Sequence, residues 1–261
     1  MTSFKVLGIN FGGHDTSAVL MVDGIPIACC EEERYNKDKH TRSFPVNAVN
    51  DALRKGNIRN INDINEISLT YEPSMLDEWP AIRSMRRNFP NKDEYISIVR
   101  EKLGFNGKVR TNLHHLCHVA SAYYPSGFDE ALLVSNDGVG EVNCSLIATG
   151  KSGKINILHS GNRWPNSIGI TYSSITAYLG WKPQYDEGIL MGLAPYGDDT
   201  KLIPGTNRTY RDIFEEIIFE IGDYDQEVNP YWLAFHRIRD KWVSDKFEEV
   251  FGKRREWEEP I

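Results

Sequence analysis

Lys5-Val-Leu-Gly-Ile-Asn10, Gly12-Gly-His-Asp15, Ser17-Ala-Val-Leu-Met-Val22, Asp23-Gly24 and Ile25-Pro-Ile-Ala-Cys-Cys30 decide the fold. Three short apolar runs, parted by a glycine-containing loop and then by an Asp-Gly pair, read as three antiparallel strands joined by a loop and a two-residue hairpin. The same order returns in residues 131–158. A strand over 131–135 is followed by the loop Asp137-Gly-Val-Gly-Glu141, a strand over 143–149, the turn Lys151-Ser-Gly153 and a strand over 154–158. Two copies of one unit predict a duplicated domain.

Residues 45–55 and 169–179 have helical character, each following one of the triplets. Between them, 66–70 reads as a strand, 93–103 as a helix and 108–112 as a short strand, which gives mixed α/β layers. Residues 210–221 read as helix, and 231–251 as a pair of amphipathic helices whose aromatic residues Trp232, Phe235, Trp242 and Phe247 pack. The charged run Arg254-Arg-Glu-Trp-Glu-Glu-Pro-Ile261 holds no closing element.

The 261 residues are 40% hydrophobic, enough for a sizeable core, and carry a net charge of -7. That balance gives no basic footprint and counts against nucleic acid as a main partner. No apolar run approaches the ~20 residues needed to span a bilayer, and no signal peptide precedes the first strand, so a cytoplasmic protein is expected. The four cysteines, Cys29, Cys30, Cys117 and Cys144, suggest neither a disulfide framework nor a zinc knuckle. Cys117 is expected to be buried.

Thr111-Asn-Leu-His-His-Leu-Cys-His-Val-Ala-Ser-Ala-Tyr-Tyr124 carries the most chemistry. His114 and His118 stand four apart in a helical stretch, so both imidazoles project from one face as in a two-histidine metal clip. Asp137, at the end of the next strand, could complete a mixed nitrogen and oxygen ligand set. The alternative is a plain hydrogen-bonded pair. A zinc-peptidase site is excluded by His115, which stands where the glutamate would be. The glycines of the two hairpin loops suit anions such as phosphates, or simply make turns.

Six motifs in order make the sequence resemble a known family. They are Val6-Leu-Gly-Ile-Asn10 with His14-Asp-Thr-Ser-Ala18, Glu31-Glu-Glu-Arg34 with Lys39-His40, His114-His-x-x-His118, Asp137-Gly-x-Gly-Glu141, Ser167-Ile-Gly-Ile-Thr-Tyr172, and Met191-Gly-Leu-Ala-Pro-Tyr-Gly197. Together they look like the N-terminal part of the carbamoyltransferases of the NodU and antibiotic O-carbamoylating type. The resemblance implies a duplicated actin-like (ASKHA, RNase H-like) α/β fold. Residues 1–125 would form the first subdomain, and 126–261 the start of a second with an insertion and an incomplete end. The YrdC-like domain, which makes carbamoyladenylate from carbamoyl phosphate and ATP, would be missing. The domain present would pass the carbamoyl group to the hydroxyl of a small-molecule acceptor.

The resemblance further implies Fe(II), or another divalent metal, on His114, His118 and Asp137. His14 is expected to be the general base or acceptor contact, because histidine exchanges protons nearest to working pH, and Asp15 to orient it, to cap the loop or simply to make the turn. Lys39 and His40 would bring positive charge toward the adenylate or acceptor. Gly138, Gly140 and Glu141 would approach the nucleotide, with Ser167 and Gly169 completing its pocket. One departure is Ile189, where the family usually has a lysine. Acceptor choice is expected to involve the 75–87 region, whose Arg83, Arg86 and Arg87 could equally form a solvated face.

Carbamoyl phosphate, a hydroxyl acceptor and a separate chain supplying the missing part are the expected partners. Two further readings are a tRNA threonylcarbamoyl-transferase relative and a non-catalytic remnant that keeps metal or nucleotide binding. The acidic charge and the segment 181–197 count against the first of these. A sugar kinase on the same fold would have no use for the histidine pair.

Overall fold

A computed structural model of the chain describes residues 3–238 and 240–259, apart from the side chain of Met85. Pro260 and Ile261, the last residues of the charged run, lie outside the described residues. The chain divides into two compact units, Met1–His118 and Val119–Ile261.

The first unit is built on five strands, β1 (Lys5–Asn10), β2 (Ser17–Val22), β3 (Ile25–Glu31), β4 (Glu66–Leu69) and β5 (Lys108–Thr111). They lie in the order β3-β2-β1-β4-β5. The β1–β2 and β2–β3 pairs are antiparallel, and β1–β4 and β4–β5 are parallel. Asp23 and Gly24 both take positive φ (51° and 81°), as the Asp-Gly hairpin requires. Alternation along β1 buries Leu7 and Ile9 fully, and Leu20, Ile67 and Leu69 join them from neighbouring strands.

The helices of this unit are α1 (Glu33–Asn36), α2 (Val46–Lys55), α3 (Ser74–Asp77), α4 (Pro80–Met85) and α5 (Lys92–Leu103). Helix α2 sets Ala48, Val49 and Ala52 into the core. Its first turn is held by the buried Glu32 carboxylate, which accepts from Asn47 Nδ2 (2.6 Å) and the Ala48 amide (2.8 Å). Asn91 and Glu94 form a capping box that starts α5. Tyr95 of α5 stacks on Phe11 with centroids 4.3 Å apart and donates its hydroxyl to the Phe11 carbonyl (2.8 Å). These contacts pin the loop that follows β1, where Gly12 has φ 95° and an added Cβ would lie 2.9 Å from the Phe89 ring.

Glu72, beyond β4, ties three elements together by accepting from Ser74 Oγ (2.6 Å), Lys92 Nζ (2.9 Å) and Thr111 Oγ1 (2.5 Å). Burial would raise its carboxyl, but these donors outweigh burial and hold it down at about 2, against an ordinary 4.5. A carboxyl depressed on folding stabilises the fold fully above pH 4.5 and loses that contribution as pH falls toward 2. Glu72→Gln is therefore expected to lower the urea midpoint at neutral pH. Its stability should also change less than that of the parent protein between pH 4.5 and 2.

A long helix, α6 (His114–Ser126), contains the division between the units, which the sequence places at 125/126. The second unit holds β6 (Glu130–Asn136), β7 (Ser145–Lys151) and β8 (Lys154–His159), antiparallel in the order β6-β7-β8. This is the β1-β2-β3 arrangement again, and in both triplets the register shifts within the middle strand, at Leu20/Met21 and at Ile147/Ala148. One face of β6 is buried through Leu133 and Ser135, whereas Leu132 and Val134 are exposed. The other helices of this unit are α7 (Ile168–Tyr178), α8 (Glu187–Leu193), α9 (Tyr210–Ile217) and α10 (Asp245–Phe251).

Two expectations for the last sixty residues need correction. Residues 210–221 are not all helix, because α9 ends at Ile217 and β9 (Ile218–Ile221) turns at Gly222 to pair with β10 (Asp225–Val228). The described residues of 231–251 hold one short helix, α10, capped by Ser244, in place of the expected amphipathic pair. Trp232, Leu233 and Ala234 are buried in irregular chain, with Leu233 bridged to Val243, so the aromatic spacing reports packing rather than helix. Trp232 and Phe247 lie in the core with Ile213 and Ile217. No helix among the described residues is long and apolar enough to cross a membrane.

Candidate active site

His14 and Asp15 occupy the β1–β2 loop, and the structure brings His40 to them. His14 Nδ1 lies 2.7 Å from one Asp15 carboxylate oxygen and His40 Nδ1 lies 2.8 Å from the other. Burial would raise the Asp15 carboxyl, but the hydrogen bonds and positive character of His14 and His40 outweigh it and hold the group below the usual aspartate value. Asp15 and His40 both take left-handed backbone conformations, with φ of 58° and 57°. Neighbouring polar groups fix them there. Asn10 Nδ2 donates to the Asp15 carbonyl (3.0 Å), and the His40 amide donates to the Glu33 carboxylate (3.0 Å). The two loops are also stitched by the Thr16 amide to the Thr41 carbonyl (3.4 Å). Lys39, next to His40, is exposed on the turn.

On the first turns of α6, His114 and His118 meet with Nε2 atoms 3.0 Å apart and ring planes at 90°. Metal–imidazole bonds of about 2.1 Å set at a right angle span about 3.0 Å, so the donor pair fits a cation, and the same spacing suits an N–H···N hydrogen bond. Tyr71 stacks on the His114 ring at 4.6 Å and 12°, a support that sequence spacing did not reveal. His115 is buried, and Cys117 is half-buried where burial was expected. In the 75–87 region, Arg83 donates to the Phe89 carbonyl (2.9 Å) and Arg86 lies over the Phe89 ring, so both are engaged within their own unit.

Asp137 lies just past β6 in the second unit, where its carboxylate accepts from the Gly138 amide (2.6 Å). The Gly140 amide donates to the Asn143 carbonyl (2.8 Å), and Glu141 is buried. Ser167 is fully buried as the N-cap of α7. Its hydroxyl accepts from the Ile170 amide and lies 2.7 Å from the Gly138 carbonyl. Gly169 lets α7 approach the same loop, since an added Cβ would stand 2.7 Å from the Asp137 carbonyl carbon and the Gly138 nitrogen. Ser167 and Gly169 thus hold the 137–141 loop against the helix. Gly169→Ala is expected to cost about 1–3 kcal/mol, because backbone must move on one side or the other. Urea unfolding checks this, and an unchanged midpoint would contradict it.

Neither Tyr71 beside His114 nor the contact of His40 with Asp15 is foreshadowed in the sequence. The motif assigns His40 positive charge toward the adenylate or acceptor, and 25 positions separate it from the carboxylate it meets. No periodicity links the two. The only signal was that both fall within the ordered motifs.

The family described as "Carbamoyltransferase N-terminus" matches residues 85–250, more than half of the chain. The uncharacterized protein sll1178 of Synechocystis sp. is 32% identical over 215 residues, covering 74% of this chain and 35% of that protein. Nodulation protein NolNO of Sinorhizobium fredii is 29% identical over 243 residues, covering 87% of this chain and 34% of its own. The chain spans about a third of the length of these curated relatives. Among solved structures, the Aquifex aeolicus Ppx/GppA phosphatase aligns with a TM-score of 0.33 at 14% identity, over 75% of this chain and 64% of that one, too loosely to carry weight. With its ordered motifs, the match over residues 85–250 and these relatives, the chain belongs to the carbamoyltransferase family, as an N-terminal domain of it.

Proposed function

We propose that the chain transfers a carbamoyl group from carbamoyladenylate to the hydroxyl of a small-molecule acceptor, within a duplicated actin-like fold. The observation that carries this reading is the His14–Asp15 pair on the β1–β2 loop of a carbamoyltransferase-family domain. The repeat of the β1-β2-β3 pairing in β6-β7-β8 supports the duplication.

In this reading the His14 imidazole takes the proton from the acceptor hydroxyl as its oxygen bonds to the carbamoyl carbon. The bond from that carbon to the phosphate oxygen breaks, AMP leaves with the electron pair, and the proton on His14 passes to solvent. Asp15 holds the imidazole and stabilises its protonated form, as a carboxylate does for a catalytic histidine elsewhere. Gly138, Gly140 and Glu141 approach the nucleotide, and Ser167 and Gly169 hold their loop. Lys39 adds positive charge toward the adenylate. His114 and His118, with Asp137, would hold Fe(II) or another divalent ion, which would offset negative charge on the departing nucleotide.

Carbamoyl phosphate and ATP are consumed by a carbamoyladenylate-forming domain, supplied by the rest of a longer polypeptide or by a partner chain. We place the reaction in the cytoplasm.

The test combines the chain with labelled carbamoyl phosphate, ATP, a YrdC-type domain added separately and a panel of glycosides and polyols. Label appearing in a carbamate ester only when this chain is present supports the reading. Absence of transfer, with carbamoyladenylate demonstrably formed, refutes it.

A further inference from the structure

We propose that His40 is a positioning residue for the His14 base and acts through the Asp15 carboxylate. This deepens the proposed transfer reaction and rests on the reading of His14 as its base. Two observations meet here. One carboxylate receives two imidazoles on separate oxygens, at 2.7 and 2.8 Å. The carboxylate is held ionised, below the usual aspartate range, so it can only accept. Both Nδ1 atoms therefore carry hydrogen toward the carboxylate, which leaves Nε2 of each ring as the atom that can give or take a proton.

Exposure separates the roles of the two rings. The His14 side chain is 53% exposed and His40 only 23%, so His14 is the ring more open to an acceptor. A carboxylate held by one histidine alone can rotate about its Cβ–Cγ bond. A second bond, from a ring whose backbone is itself fixed by Glu33, removes that freedom and aims the His14 Nε2 lone pair. The left-handed conformations of Asp15 and His40 fit this account, because strained backbone persists only where the surroundings over-determine it.

Three of the charged groups beside His40 have partners elsewhere, and a fourth lies in solvent. Glu33 accepts the His40 amide, Arg34 pairs with Glu31, Lys37 donates to the Arg34 carbonyl, and Lys39 is exposed. His40 therefore works through its hydrogen bond to Asp15, not as a charge for the ligand.

Two measurements test the assignment separately from the overall reaction. Long-range proton–nitrogen NMR of the labelled chain at neutral pH reads the tautomers directly, and should show hydrogen on Nδ1 of both His14 and His40. Hydrogen on Nε2 of either ring would overturn the proposal even if transfer is observed. In the transfer assay, His40→Ala should lower kcat about 10- to 100-fold with KM for the acceptor unchanged, the range seen when an orienting partner is lost. His40→Asn, whose amide can still donate to Asp15, should recover most of that loss. Equal loss in both variants, or a change confined to KM, would overturn the proposal. So would a stoichiometric metal ion that Asp15→Asn removes and His118→Ala does not. If no transfer is seen with the parent chain, the proposed function fails while the tautomer measurement still decides the geometry.

Discussion

His14→Ala is expected to lower the carbamoyl-transfer rate by about 10²- to 10⁴-fold, the usual contribution of a positioned general base. The effect should fall on kcat, because the imidazole acts as the hydroxyl loses its proton rather than when the acceptor binds. The fold should tolerate the change. His14 is more than half exposed and sits in a loop fixed by the Tyr95–Phe11 and Asn10–Asp15 contacts, none of which uses the imidazole. Circular dichroism and urea midpoints should therefore match the parent protein. A variant that keeps full activity would remove His14 from the mechanism.

His118→Ala is expected to abolish stoichiometric metal binding and, with it, transfer. His114 and His118 approach to 3.0 Å, and a metal ion bridging two such nitrogens loses much of its affinity when either is removed. The test is metal analysis of protein purified without oxygen, before and after chelation. The parent should hold metal that a chelator strips with parallel loss of activity, whereas the variant should hold none. Full activity in metal-free parent protein would leave the pair as a hydrogen-bonded contact. Tyr71→Ala, which removes the ring stacked on His114, should weaken the metal without changing its identity.

How much of this was legible in the sequence depended on how local the cause was. The strands of both triplets could be read because short apolar runs are parted by glycine-containing turns, of which Asp23-Gly24 specifies its own geometry. The His114/His118 pair could be read because helix geometry fixes i and i+4 on one face. The meeting of His40 with Asp15 depends on how the segment after α1 returns to the β1–β2 loop, set by the Thr16–Thr41 bond and the Glu33 side chain. The last sixty residues misled for a related reason. Their aromatics satisfy a helical pattern, yet Gly222 turns β9 back onto β10, and Trp232 is buried from irregular chain. The motif marks Ser167 and Gly169 only as nucleotide-pocket candidates, and that they brace the 137–141 loop is visible in the approach of α7 to its backbone.

The most direct measurement of the central claim is a single turnover, in which preformed carbamoyladenylate is mixed with excess chain and acceptor while AMP and carbamate ester are followed together. Equal amounts of the two, rising at one rate in the parent chain and suppressed by His14→Ala, are what the proposed transfer predicts. AMP release that ignores both the acceptor and His14, or no release at all, would contradict it.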